Sequence, residues 1–326
     1  MSHYCLFPVK DTVAWRFYQQ QKHSLWTVDE ITQLDADKTE FGDDSKFSQG
    51  LREFLLTVLA FFACSDAIVN EKLFDYIIGH RRWSQAAKMY YAAQMFIETI
   101  HNETYNVLID TLCSATPELE SKKDRYFDGI TNFPSIQRKA EWFDRMTEEY
   151  KDNIGALLVV QACVEGIHFS SSFACVFYLK TLNLLPGVVV ANQFIVRDEG
   201  LHRDFAIHQH NSLPPYEDGV KNTQLPMEHI KNIIREAVDL EVDFVRESLQ
   251  VSVMGLSAEN MITYVQHVAN HLILSIGGDP IYEVTNPFPW MEAISLENKT
   301  NFFEHNTSEY AVLTTDTNES MIEEDF

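Results

Sequence analysis

Glycine and proline are both scarce in this chain, at 12 and 10 of 326 residues. So few turn-formers argue against a fold of many short strands and tight turns, and favour long helices. Basic residues are short as well: Lys and Arg total 25 against 48 Asp and Glu, a formal charge of −23. That balance excludes a broad nucleic-acid footprint and docking on anionic lipid, both of which need clustered positive charge. Cysteine is sparse and unpatterned. Cys5, Cys64, Cys113, Cys163 and Cys175 form no C-x-x-C, which argues against a disulfide framework or a thiolate zinc site and leaves free thiols in a reducing compartment. The opening residues, MSHYCLFPVKDTVAW, lack the apolar stretch of a secretory signal. No uninterrupted apolar run reaches the ~18 residues of a membrane span, and the best two are broken by Asp66 and Glu165. A soluble, acidic, cytoplasmic protein is expected. There is no repeat of fixed period and no convincing strand alternation.

What is present is apolar and helical. Hydrophobic residues make up 45% of the chain, enough for a large core. Residues 1–45 read as irregular, apart from a short amphipathic piece at Asp11–Gln20. Long proline-free stretches then follow: one from Gln49 into the 70s, one over Ser84–Leu112, and one over Arg138–Leu182 with a break at Asp152–Asn153. Pro186-Gly187 reads as a turn, with helices expected over Val188–His210, Pro226–Val253 and Ala258–Ile276. The expected fold is all-α: an N-terminal irregular segment (1–45), a helical bundle (46–302) and a flexible acidic tail (303–326).

The chemistry begins in MFIETIHNETYNVLID. Glu98 and His101 are three apart on an expected helix, so they share a face about 5 Å apart along the axis. Tyr105 lies one turn further on. A single Glu-x-x-His arises easily by chance, and Tyr105 read without the metal set is better taken as a core tyrosine. Glu199 and His202, in RDEGLH, repeat the spacing on another long helix. Asp66 and Glu165 each place an acid in the middle of an apolar helix. A lone buried carboxylate costs several kcal/mol, on the order of the penalty for any desolvated ion. Two cations shared among six ligands offset that cost for all four acids together. Two Glu-x-x-His helices plus one carboxylate from each of two others is the donor set of ferritin-like di-metal bundles. Oxygen-rich ligation with two imidazoles suits iron or manganese better than zinc, and the chemistry natural to such a pair is O₂ activation.

Five segments, FFACSDAIVNEKL, ETIHNETYNVLID, VEGIHFSSSFA, RDEGLH and NPFPWMEAISLENKTNFFE, resemble the class I ribonucleotide reductase small subunit of the eukaryotic and large-DNA-virus branch. The resemblance runs from about Phe7 to Phe326. It implies a ferritin-like bundle that binds two irons, or manganese, through Asp66, Glu98, His101, Glu165, Glu199 and His202. It implies that Tyr105 carries a stable radical inside an apolar pocket of Phe169, Phe173 and Ile195. It further implies a radical-transfer route through Asp198, Trp26 (in HSLWTVDEI) and Tyr310 to a large catalytic subunit. The acidic ending IEEDF would dock on that subunit, with the small subunit a homodimer that binds no nucleotide itself. The implied reaction is reduction of ribonucleoside diphosphates to deoxyribonucleotides. Leu25 and His168 depart from the family pattern, which usually has Phe at both places. The ending SMIEEDF departs from the host type, and the animal N-terminal extension is absent. These departures point to a viral or compact version, acting in the host cytoplasm if viral. Among the rivals, a stand-alone di-iron oxidase of the same fold would need neither Tyr310 nor the acidic tail. An iron-storage protein would need no Trp26, and a metal-free scaffold would leave the buried acids uncompensated.

Overall fold

The structure is a computed structural model that describes residues 5–248 and 256–292. Thirteen α-helices and no strand occur among the described residues. The first four are α1 (Thr12–His23), α2 (Leu34–Phe41), α3 (Gln49–Lys72) and α4 (Gln85–Cys113). Three short helices follow, α5 (Pro117–Glu120), α6 (Lys123–Phe127) and α7 (Gly129–Asn132). Then come α8 (Pro134–Glu149), α9 (Ile154–Cys163), α10 (Ser170–Thr181), α11 (Pro186–Asn211), α12 (Met227–Ser248) and α13 (Ala258–Ile276). Two π-helical segments, Leu73–Ile78 and Val164–His168, extend α3 and join α9 to α10. Met1–Pro287 forms one compact unit, and Phe288–Phe326 is assigned to a second, of which only the first residues are described.

Local chemistry sets the helix ends. Ser48, Ser84, Asn153 and Ser257 accept first-turn amides of α3, α4, α9 and α13, removing donors that would otherwise be orphaned. Asp11 caps α1 through Oδ1 and accepts the Ser84 hydroxyl at 2.7 Å through Oδ2, so two helix starts share one knot. Gly277, at φ +105°, ends α13 in the left-handed conformation that favours glycine.

Two sequence expectations need correction. Residues 1–45 are not mainly irregular: they hold α1, α2 and the 3₁₀ turn Val28–Glu30. Pro186-Gly187 is not the turn itself. Leu185, at φ 46°, makes the turn, and Pro186 is the first residue of α11, where its missing N–H costs nothing. The Asp37 carboxylate accepts the amides of Gly187 (3.1 Å) and Val188 (2.7 Å) there. A Cβ on Gly187 would lie 2.7 Å from Asp37 Oδ2, so only glycine lets α2 approach so closely.

The core of the bundle is α3, α4, α9–α10 and α11; α3 packs along α4, and α9 along α11. Gln49–Ile78 and Ile154–Thr181 are each long and apolar enough, by length and composition, to cross a membrane. Here they are core helices: every residue from Ile154 to Phe177 is buried, which explains continuous apolarity without a polar stripe.

Candidate metal centre

Each of the four core helices brings acid to the middle of the bundle. Asp66 comes from α3, Glu98 and His101 from α4, Glu165 from the Val164–His168 segment, and Glu199 and His202 from α11. All six are at most 3% exposed. Their ligand atoms fall into two tight groups, Asp66–Glu98–His101 and Glu98–Glu165–Glu199–His202, with Glu98 common to both.

The polar atoms converge without satisfying one another. His202 Nδ1 stands 2.9 Å from Glu98 Oε1 and 3.4 Å from Glu199 Oε2, and His101 Nδ1 stands 2.9 Å from Glu199 Oε1. None of these approaches has hydrogen-bond geometry. Both oxygens of Asp66, Glu98 and Glu199, Oε2 of Glu165, and Nδ1 of both histidines have no hydrogen-bond partner. Burial pushes Asp66 well above the ordinary carboxylate range, and Glu199 and Glu98 push it further. Burial and Glu199 do the same to Glu165. Burial works against a charged His202, yet Glu98 and Glu199 hold it up to about 9. Unpartnered donors and mutually repelling acids in one buried spot fit a pair of hard cations.

Neighbours fix how the ligands point. Glu165 Oε1 accepts from Gln94 Nε2 (3.2 Å) and Gln161 Nε2 (3.5 Å), which leaves Oε2 turned inward. His101 Nε2 lies 3.3 Å from Asp198 Oδ2. If that nitrogen carries the proton and donates it, Nδ1 keeps a free lone pair. The same Asp198 oxygen accepts from Trp26 Nε1 at 2.7 Å, and Oδ1 accepts from Gln21 Nε2 at 3.1 Å. Burial would raise Asp198, but His101, Arg197 and Trp26 together hold it below the usual carboxylate range. Trp26, Asp198 and His101 thus form one hydrogen-bonded line, with the Trp26 ring stacked 6.0 Å from the imidazole.

Tyr105 is fully buried, and its hydroxyl donates to Asn192 Oδ1 at 3.1 Å. Burial, reinforced by Asp66, Glu199 and Glu98, raises its phenol well above 10. Phe62 lies flat on the Tyr105 ring, and Phe169 and Phe173 pack against Phe62 at 5.6 and 4.8 Å. Ile195, one turn past Asn192, is buried. Tyr310, the IEEDF ending and the last part of the NPFPW segment lie outside the described residues.

The model of the ribonucleotide reductase small-chain family matches residues 3–287. The chain belongs to this family. It is 40% identical over 309 residues to the ribonucleoside-diphosphate reductase small chain of Schizosaccharomyces pombe, covering 95% of this chain and 75% of that one. It is 38% identical over 330 residues to the small chain of vaccinia virus (strain Copenhagen), covering 100% and 97%. Among solved structures it resembles the Rnr4 homodimer of Saccharomyces cerevisiae, with a TM-score of 0.76 at 27% identity, covering 94% and 89%. The dimanganese(II)-NrdF of Streptococcus sanguinis, at 18% identity and a TM-score of 0.73 over 90% and 99%, shares the fold. The small chains of this family have a ferritin-like helical bundle. This small chain is accordingly a subunit of class I ribonucleoside-diphosphate reductase, from a di-metal carboxylate family whose known chemistry is a tyrosyl radical.

The sequence reading of this small chain missed Phe62, Gln94, Gln161, Asn192 and Gln21. Gln94 and Gln161 were the most accessible to it: each is an amide inside an apolar helix, four residues from Glu98 and Glu165 respectively.

Proposed function

We propose that Asp66, Glu98, His101, Glu165, Glu199 and His202 hold two iron ions and that Tyr105 is the residue oxidised beside them. The observation that carries this reading is the shared Glu98: two ligand groups joined by one carboxylate, with their unpartnered atoms turned toward each other. Asp66, Glu98 and His101 would serve one ion; Glu98, Glu165, Glu199 and His202 the other. When bound, the pair supplies one-electron oxidising power from O₂, and the same donors admit manganese.

The protein's own part is then to choose and protect the electron donor. Tyr105 would lose one electron to that pair, which is reduced by one electron, and its phenolic proton to an oxygen donor of the same site, leaving a neutral radical. Asn192 Oδ1 fixes the direction of that hydroxyl. Phe62, Phe169, Phe173 and Ile195 keep water and reductants from the ring. The radical equivalent leaves through His101, Asp198 and Trp26, then Tyr310, for the large subunit. Asp198 binds the first and third of these and holds their geometry.

The partition into an N-terminal segment (1–45), a helical domain (46–302) and a docking tail (303–326) belongs to this reading. So do a homodimer, binding of the large subunit through the acidic tail, and a cytoplasmic setting that suits five free thiols.

The test is electron paramagnetic resonance after Fe(II) and O₂ are added to the apoprotein, with a parallel Mn(II) sample. A tyrosyl doublet that vanishes in Tyr105→Phe is expected. No radical under either metal would sink the reading.

A further inference from the structure

We propose that Lys139 and Glu241 are positioning residues that clamp the end of the Val164–His168 segment and so hold Glu165 in place for one of the two metal positions. This rests on the two-metal reading above. Lys139, on α8, is 3% exposed, and Glu241, on α12, is fully buried. Their side chains form an ion pair. The Lys139 ammonium also lies over the rings of Phe61 (3.7 Å) and Phe244 (3.8 Å).

The remaining hydrogen bonds of the pair all go to one short stretch of chain. Lys139 Nζ donates to the His168 carbonyl at 3.1 Å. Glu241 Oε1 accepts the Ser171 amide at 3.3 Å and the Ser171 hydroxyl. These two points bracket the place where the π-helical segment gives way to α10. At such a junction the backbone ladder changes register and leaves groups poorly paired. Lys139 supplies a donor to the carbonyl side, and Glu241 supplies an acceptor to the amide side. Glu165 is one turn back along the same segment, and Phe169 of the Tyr105 surroundings lies between the two grips.

The physical cost argues for a geometric role. A buried ion pair is often no better for stability than apolar residues of the same size. A pair whose other bonds all go to the register shift beside a ligand is explained by what it orients. Glu165 belongs to only one of the two ligand groups. The clamp should therefore affect the two metal positions unequally, whereas a general loss of packing would affect both.

Mn(II) binding to the full-length apoprotein, followed by the resonance of free Mn(II), tests this. Wild type is expected to bind two equivalents. Glu165→Gln identifies the equivalent that depends on Glu165. The double variant Lys139→Met/Glu241→Leu leaves no lone buried charge. It is expected to melt as a folded protein while weakening that same equivalent roughly tenfold or more, the usual scale for residues that orient ligands, with the larger loss on that one. Should the double variant fail to fold, Ser171→Ala, which removes only the hydroxyl grip, is expected to show the same selective loss on a smaller scale. A folded variant that binds both equivalents like wild type, or weakens both equally, overturns the proposal. If wild type itself binds no Mn(II), the two-metal reading falls and takes the clamp with it.

Discussion

The rings of Phe62 and Tyr105 are stacked, 4.6 Å apart and 4° from parallel. Phe62 is thus the ring in flat contact with the proposed radical, and Phe169 and Phe173 pack against Phe62 in turn. In Phe62→Leu the face of the phenol loses its cover, but the site keeps an apolar side chain. The radical is expected to form and then decay several-fold faster, read as loss of the paramagnetic doublet with time. Cavity formation should also lower stability by about 1–3 kcal/mol, below the ~3–5 typical of Phe→Ala. An unchanged decay would remove Phe62 from the protective wall.

Asp198→Asn tests the line from His101 to Trp26. Asp198 Oδ2 accepts from both of those residues, while Oδ1 faces Gln21 and Arg197. An asparagine must turn its NH₂ toward one donor set or the other. Tyrosyl radical is expected to form still, while turnover with the large subunit falls roughly 10–100-fold. Full turnover with this variant would rule out the proposed route.

His210 makes stability depend on pH away from the metal cluster. It is buried; its Nε2 faces the Leu225 amide and its Nδ1 faces Asn211 Oδ1, an arrangement suited to the neutral ring. Burial lowers its pKa, with Asn211 opposing in part. The unfolded chain, with histidine near ~6.5, therefore binds the proton first as pH falls. Stability from this residue is complete above ~6.5, declines as pH drops below it, and levels off under the folded pKa. Thermal unfolding of the apoprotein from about pH 7.5 to about pH 5.5 should show a smaller drop for His210→Gln than for wild type. Equal slopes would contradict the assignment.

The metal candidates were legible because Asp66 and Glu165 are conspicuous: each breaks an apolar run, and apolar runs are where sequence says most about burial. The long helices were legible for the same reason. Glu98, His101, Glu199 and His202 announced themselves by repetition. Phe62 did not, since it sits among Leu59, Ala60 and Phe61 and looks like any core residue. Lys139 and Glu241 lie on α8 and α12, whose polar faces otherwise meet solvent, so nothing local separates a buried charge there from an exposed one. The Val164–His168 π-helical segment packs against α11, α12 and α13, which is information spread over distant parts of the chain. The helices of residues 1–45 are short and mixed, and α2 depends on Asp37 meeting the start of α11.

The helix that runs from Ile154 to Phe177 has no outer side. On most helices, half the positions face water and can change with little effect, so mutation collects there. Along this stretch each position answers to a packed neighbour in every direction, and Glu165 sits inside it. Variation among related chains should therefore collect on α8, α12 and the surface loops, leaving this length of chain as the slowest-changing part of the molecule.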